Sequence, residues 1–157
     1  MYSHMDYIFF FNSNILFIED IYKEDILPDK ELGKEISVVK YYSDFGGRNP
    51  FETNHESTAF VPWNSKQYTY VAGGMNGGTR DAFLKMAKEI SDRVDEDLKK
   101  GIIAKSHDLS HLNSYIYRHD NWRLLGAEYD YSEELSLPFK PKLIYRDKSR
   151  YFDDVEL

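Results

Sequence analysis

The run Gly73-Gly74-Met75-Asn76-Gly77-Gly78 has four glycines in six residues, between an apolar stretch and an amphipathic one. Because glycine lacks a Cβ, such a run indicates a backbone that approaches a neighbour closely or adopts positive φ. The run lacks the spacing of a Rossmann dinucleotide fingerprint and the Lys-Ser/Thr ending of a P-loop. It therefore predicts a tight crossing of two chain segments or a close approach to a ligand.

The clearest helix follows this run, from Thr79 to Lys100. Its apolar residues recur at 3.6-residue spacing, Thr79 is a suitable N-cap, and Gly101 follows its end. Short apolar runs predict strands at 6–11, 15–18, 36–39, 68–72, 122–125 and 143–145. The continuous run from Asp6 to Phe11 is typical of a strand buried on both faces of a parallel sheet. The pattern predicts an α/β fold.

Composition limits the possible functions. The length of 157 residues favours a single domain over residues 1–157, and the net charge of −7 argues against nucleic acid as a partner. No apolar run reaches the roughly 18 residues of a membrane span. The chain has no cysteine, which rules out disulfides and thiolate ligands and fits a cytoplasmic location.

The stretch from Lys105 to Tyr115 concentrates polar groups at the start of a second predicted helix. His107 and His111 are spaced i, i+4 and would share one face of that helix. Zinc proteases use the same spacing, but they need a glutamate where Asp108 stands, and no third ligand is evident. Two interpretations remain stronger. Either both histidines make structural hydrogen bonds, or the stretch forms a wall of a sugar-binding site.

The segment Asn12-Ser13-Asn14 directly follows the first predicted strand. Open α/β sheets bind ligands at the carboxyl ends of their strands, so these amides are candidate ligand contacts. Asn and Ser also favour turns, and taken alone a turn is the better interpretation.

Three motifs occur in one order: Asn12-Ser13-Asn14, then Tyr70 to Gly78, then His107-Asp108-x-Ser110-His111-Leu112-Asn113-x-Tyr115. Together they resemble glycosyltransferase family 6, which contains the histo-blood-group A and B transferases, the α-1,3-galactosyltransferases and bacterial relatives. The resemblance runs from about Asp6 to Lys148. It implies a GT-A fold, a Rossmann-like α/β domain, which here lacks its first βαβ elements.

The resemblance implies retaining transfer of a hexose from UDP-GalNAc or UDP-Gal to the 3-hydroxyl of a fucosylated galactoside. Animal members bind manganese through Asp-x-Asp, whereas Asn12 and Asn14 match the bacterial branch. Because neutral amides bind hard dications poorly, the resemblance implies a site without metal or other cofactor. The small residues Ala72 and Gly74 match positions that line the C2 substituent of the donor and favour UDP-GalNAc.

The resemblance also assigns site residues. The implied donor-binding residues are Asn12, Asn14, Ala72, Gly73, Gly74, His107, Asp108 and Lys148, with Lys148 as the cation for the diphosphate. The implied acceptor-binding residues are Tyr41 and Ser106, although the family has a His-Pro contact and a tryptophan at these positions.

Leu109 stands where the family has its key glutamate, the nucleophile or stabiliser of the transition state. An aliphatic side chain can take neither role, so catalysis is expected to be impaired. The alternative is a non-catalytic carbohydrate-binding or oligomeric remnant of the fold.

A further expectation concerns the first strand. If the first βαβ elements are absent, the strand from Asp6 to Phe11 has an exposed edge, which is an aggregation risk unless it is covered. We therefore expect a homo-oligomer or a rearranged edge. A dilute sample that sediments as a monomer and melts cooperatively would contradict this expectation.

Overall fold

The computed structural model describes residues 4–43, 45–63 and 69–151, which form a mixed α/β fold. The strands are β1 (Tyr7–Phe11), β2 (Ile15–Phe17), β3 (Ile36–Lys40), β4 (Val71–Thr79), β5 (Trp122–Leu125), β6 (Tyr131–Ser132) and β7 (Leu143–Tyr145). The α-helices are α1 (Lys23–Ile26), α2 (Arg80–Lys99) and α3 (His107–Arg118). Single 3-10 turns are η1 (Lys30–Leu32), η2 (Phe45–Gly47), η3 (Ala127–Tyr129) and η4 (Lys148–Arg150). The α/β prediction is confirmed.

The larger sheet has the strand order β1-β4-β3-β5, and the smaller sheet has the order β2-β7-β6. In the larger sheet β4 runs antiparallel to both of its neighbours, and only β3 and β5 are parallel. The smaller sheet pairs β2 antiparallel and β6 parallel to β7. The larger sheet is therefore mixed rather than parallel.

The prediction that β1 is buried on both faces of a parallel sheet is wrong. β1 pairs antiparallel with β4 at the edge of the sheet, and no other strand of the described residues pairs with it. Phe9 and Phe11 pack on a buried cluster, whereas Phe10 points to the other face and is 46% exposed. A continuous apolar run does not reveal how many partners a strand has. The expected homo-oligomer stays a prediction.

The glycine run lies inside β4, which extends to Thr79 instead of ending at Ala72. A Cβ on Gly77 would overlap the ring of Phe9, and one on Gly78 would overlap the carbonyl oxygen of Glu35. The prediction of a tight crossing is thus confirmed, because β1 and β3 both press on this strand. Tyr68, which was predicted to begin the strand, lies outside the described residues.

Two buried clusters lie on opposite faces of β3, as the alternation of side chains along a strand requires. Ile36 and Val38 pack with residues of α2 and α3, whereas Val39 packs with Met75 and residues of η3 and β7. The larger sheet therefore lies between α2 and α3 on one face and the smaller sheet on the other.

The predicted helix from Thr79 to Lys100 is confirmed as α2. Thr79 occupies the N-cap position, but its side chain makes no capping hydrogen bond. Leu98 falls at the 3.6-residue spacing of the apolar residues, which predicts that it is buried, but it is 56% exposed and the neighbouring Asp97 is buried instead. Among the helices of the described residues, none has the length and apolar character needed to cross a bilayer.

Candidate functional site

A cavity of about 420 Å³ lies beside the first half of β4. β1 pairs with β4 only from Met75 to Thr79, and the chain then turns away at Asn12, whose N–H donates to Gly74 O at 2.8 Å. The departure of β1 leaves one side of the preceding β4 residues open. The cavity is lined by Asn12, Tyr41, Tyr42, Ala72, Gly73, Gly74, Asp108, Leu109, Asp130, Ser132, Leu135, Leu137 and Tyr145.

Most of the residues that the sequence proposed for a site meet in this cavity. They are Asn12, Tyr41, Ala72, Gly73, Gly74, Asp108 and Leu109. They come from the turn after β1, the end of β3, the start of β4 and the start of α3. The volume lies in the range typical of small-molecule sites. Residues from all three motifs therefore line one cavity.

Four proposed site residues do not line the cavity: Asn14, Ser106, His107 and Lys148. Asn14 is buried, and its side-chain N–H donates to the carbonyl oxygen of Arg146. His107 is exposed and has a φ of 50°, in the left-handed region. Lys148 begins η4 and is partly exposed. The ligand contacts expected of these four residues stay predictions.

The start of α3 is held against β4 by Asn113, which is 1% exposed. The Asn113 side chain accepts a hydrogen bond from Val71 N at 2.8 Å and donates to Val71 O at 3.1 Å. It also donates to Leu109 O at 3.0 Å, one helical turn back. Because both backbone groups of Val71 bond to the helix, the two walls of the cavity keep a fixed separation.

His111 faces α2 and not the cavity. Its Nε2 lies 3.7 Å from Asp97 Oδ2, and its side chain is almost fully buried. Burial lowers the pKa of His111, so the imidazole is neutral at pH 7. His107 and His111 both belong to α3 but differ in their surroundings, because His107 is exposed and His111 is buried. That the two share one face of the helix stays a prediction. The structural hydrogen bonds expected of the histidines are not seen at His111, because its Nδ1 is buried without a partner among the described residues and its Nε2 lies beyond hydrogen-bond distance of Asp97.

Asp97 anchors the loop that covers this side of α3. Ser57 Oγ donates to Asp97 Oδ2 at 2.6 Å, and Thr58 N donates to Asp97 Oδ1 at 2.8 Å. Burial alone would raise the pKa of Asp97, but these hydrogen bonds outweigh it and hold the pKa below its usual value. Asp97 is therefore an ionised structural group.

Asp130 is the lining residue that sequence reasoning missed most clearly. It directly follows η3, and its Oδ1 is buried without a hydrogen-bond partner among the described residues. The carboxylate lies against Gly74, where a Cβ would overlap Oδ1 and would stand 3.2 Å from Ile15 Cδ1. Burial raises the pKa of Asp130 to about 6. No sequence signal separates this aspartate from the acidic residues around it.

Aromatic rings supply another part of the lining through Tyr41, Tyr42 and Tyr145. Tyr41 stacks on Phe45 with ring centroids 5.3 Å apart and an angle of 16° between the rings. Rings next to carboxylates can contact both the apolar C–H face and the hydroxyl groups of a sugar. The lining therefore has the chemistry of a carbohydrate site.

The charge of the lining is negative, since its described members include Asp108 and Asp130 but no Lys, Arg or His. Asn12 contributes an amide, and the amide of Asn14 is engaged with Arg146. Within residues 4–43, 45–63 and 69–151, no three His, Cys, Asp or Glu side chains are grouped to hold a metal ion.

The sequence model of glycosyltransferase family 6 matches residues 1–150. The chain belongs to glycosyltransferase family 6. The O-antigen biosynthesis glycosyltransferase WbnI of Escherichia coli is 30% identical over 144 residues, which cover 92% of this chain and 60% of that protein. Histo-blood group ABO system transferase 2 of Rattus norvegicus is 32% identical over 85 residues, or 54% of this chain and 25% of that protein.

A third relative is globoside α-1,3-N-acetylgalactosaminyltransferase 1 of Canis lupus familiaris, 30% identical over 104 residues. That alignment covers 66% of this chain and 30% of the relative. The chain of this family 6 protein thus spans 60% of the length of WbnI and a smaller part of the mammalian relatives. The resemblance that the motifs indicated is confirmed at the level of the family.

Proposed function

We propose that this family 6 chain has a GT-A fold and binds UDP-GalNAc or UDP-Gal, with the hexose in the cavity beside β4. The acceptor is a fucosylated galactoside, and the linkage is α-1,3 with retained anomeric configuration. The observation that carries the proposal is the convergence of Asn12, the Ala72–Gly74 segment and Asp108 on one cavity of suitable size.

The identity of the sugar is proposed from the small residues of β4. Ala72, Gly73 and Gly74 offer little side-chain volume at the cavity wall, which leaves room for an N-acetyl group. The name of the relative from Canis lupus familiaris specifies α-1,3 transfer of N-acetylgalactosamine. UDP-GalNAc is therefore preferred over UDP-Gal.

The diphosphate is proposed to bind without metal, outside the acidic part of the cavity. Two carboxylates and no cation in the described lining make that space unfavourable for a phosphate. Tyr145, a lining residue, precedes Arg146, whose Nε is buried without a hydrogen-bond partner among the described residues. Arg146 and Lys148 are the proposed cations for the diphosphate, because charge-assisted hydrogen bonds stabilise a leaving group of this kind.

The transfer step is proposed to be slow because of Leu109. The bond between the anomeric carbon and the diphosphate breaks, and its electron pair leaves with UDP. The acceptor hydroxyl oxygen bonds to the anomeric carbon, and its proton passes to the departing diphosphate. Positive charge develops on the sugar meanwhile, and the Leu109 side chain in the lining cannot stabilise it.

The rival hypothesis is a carbohydrate-binding domain without catalysis. The presence of Leu109 in the lining is the observation that supports it. Family membership favours the transferase lineage instead. The two hypotheses differ in one outcome, which is whether a carboxylate at position 109 produces transfer.

The test combines titration calorimetry with a transfer assay from UDP-GalNAc to a fucosylated galactoside. The protein, Leu109→Glu and the uncharged control Leu109→Gln are compared. We expect all three to bind UDP-GalNAc in EDTA and only Leu109→Glu to gain transfer, by 10-fold or more as an order of magnitude. Binding of UDP-GalNAc without transfer in any variant would favour the non-catalytic domain. Absence of both binding and transfer would refute the proposed function.

A further inference from the structure

Asp130 lines the cavity with a carboxylate oxygen that is buried and unpartnered among the described residues. Asp97, a buried aspartate of α2, accepts hydrogen bonds from Ser57 and Thr58. Asp130 Oδ1, by contrast, is buried and accepts no hydrogen bond from the described residues. An unsatisfied buried acceptor costs stability, so a group of this kind needs a reason other than folding.

The position of Asp130 is built by the fold. Its N–H donates to Ala127 O at 3.1 Å, which closes the turn η3. Its carboxylate fits over Gly74, where any side chain would displace it. Asp130 and Leu109 pack on successive residues of β4, because Leu109 Cδ1 would stand 3.3 Å from a Cβ on Gly73. Because successive residues of a strand face opposite sides of the sheet, the carboxylate and the leucine lie on opposite faces of β4 and both border the cavity at its open edge.

The residues that line the cavity with Asp130 favour one type of ligand. Among the described residues that line the cavity, none is a Lys, Arg or His, and Asp108 is the only acidic residue besides Asp130. The tyrosines that line the same cavity, Tyr41, Tyr42 and Tyr145, carry phenolic hydroxyl groups that can donate and accept hydrogen bonds. A neutral ligand with O–H or N–H donors satisfies an unpaired carboxylate, whereas an anion is repelled.

We propose that Asp130 is a sugar-binding residue, whose carboxylate accepts hydrogen bonds from the hydroxyl or acetamido N–H donors of the hexose. This inference rests on the proposed function, since it places the hexose of the donor in this cavity. Asp130 then determines how much better the chain binds a UDP-hexose than UDP itself. The raised pKa of Asp130 supports the inference, because a poorly solvated carboxylate gains most from a ligand donor.

The test is calorimetric titration with UDP, UDP-GalNAc and UDP-Gal at pH 8 for the protein and for Asp130→Asn. We expect the variant to lose about tenfold in affinity for the UDP-hexoses and to keep its affinity for UDP within about twofold. The matched control is Asp92→Asn, which removes an exposed carboxylate of α2. Thermal melts of all three proteins verify that they fold.

A second readout separates ligand binding from a structural role. The affinity of the unmodified protein for UDP-GalNAc, whose doubly esterified diphosphate does not titrate in this range, should weaken as the pH falls from 8 to 5, because Asp130 loses its charge near pH 6. Asp130→Asn should lack this dependence. Equal affinities of the two proteins for UDP-GalNAc at pH 8 would overturn the inference.

If the proposed function is wrong, neither UDP nor a UDP-hexose should bind to any of the proteins. Asp130 is then tested with free N-acetylgalactosamine by saturation-transfer NMR. A signal that is present in the protein and lost in Asp130→Asn supports a sugar-binding carboxylate. A signal that is equal in both proteins, or absent from both, overturns it.

Discussion

Asn113 bonds to both backbone polar atoms of Val71, accepting from its N–H at 2.8 Å and donating to its carbonyl oxygen at 3.1 Å. Both residues are almost fully buried. The amide therefore acts as a strand partner for the first residue of β4 while it belongs to α3. The positions of Gly73 on the strand and Leu109 on the helix depend on this junction.

Replacing Asn113 should destabilise the fold strongly. Asn113→Ala leaves the N–H and C=O of Val71 buried without partners, which should cost about 2–4 kcal/mol of the free energy of unfolding. Asn113→Asp should be at least as damaging, because a carboxylate would face the carbonyl oxygens of Val71 and Leu109. Urea unfolding measures both changes. The control Lys85→Ala, at an exposed position of α2, should change stability by less than about 0.5 kcal/mol. If Asn113→Ala also loses less than this amount, the prediction is wrong.

Two neighbouring glycines should respond differently to alanine. In Gly74→Ala the new Cβ overlaps Asp130 Oδ1, so the carboxylate must move, at a cost of about 1–3 kcal/mol and a loss of UDP-hexose binding. In Gly73→Ala the nearest atom is Leu109 Cδ1 at 3.3 Å, the end of a flexible side chain, and the effect should be small. Thermal unfolding of the two variants measures the loss of stability, and calorimetry measures their binding of UDP-hexose. Equal losses in both variants would show that Asp130 is not held against Gly74.

Asp130→Asn should stabilise the protein at neutral pH. The pKa of Asp130 is raised to about 6 from its usual 3.8, so the folded state holds its proton longer than the unfolded state. The unmodified protein therefore loses stability as the pH rises from about 4 to 6, by up to about 3 kcal/mol. Asp130→Asn lacks this loss, so its stability relative to the unmodified protein should be greatest above pH 6. Urea unfolding at pH 4 and pH 7 measures the free energy of unfolding of both proteins. If Asp130→Asn is stabilised by the same amount at both pH values, the prediction is wrong.

His111 should produce the opposite dependence on pH. Because burial lowers its pKa, the unfolded state takes up a proton first as the pH falls below about 6.5. The stability contributed by the neutral imidazole is present above that value and is lost on further acidification. His111→Gln should reduce this acid-induced loss between pH 7 and 5, at the cost of a lower stability at pH 7. Urea unfolding between pH 7 and 5 measures this loss in both proteins. If the free energy of unfolding falls by the same amount in both, the prediction is wrong.

The strand positions could be predicted from the sequence better than the sheet they form. Apolar runs located β1 and β3 to within a few residues. The same runs could not show that β1 is an edge strand paired antiparallel with β4, because pairing depends on partners distant in the chain. The glycine run predicted close packing correctly, although the sequence did not show that Phe9 and Glu35 supply the contacts.

The candidate site could be predicted where its residues belong to short motifs. Asn12, Gly74 and Asp108 were proposed from such motifs, and they line one cavity. Asp130 and Tyr145 line it too, but they belong to segments without a motif that reach the cavity only through the smaller sheet. His107 fits its motif, yet its positive φ and its exposed side chain depend on backbone geometry that residue spacing does not encode.

The order of strands in the larger sheet also governs when the protein can fold. Tyr7 pairs with Thr79 and Ile36 pairs with Trp122, so the described strands of this sheet are not joined by tight hairpins. Pairing between distant segments makes folding slow compared with a helical bundle of equal stability. During synthesis, β1 must wait until β4 has left the ribosome, and β3 must wait for β5. The larger sheet therefore cannot be completed until the residues of β5 have been synthesised.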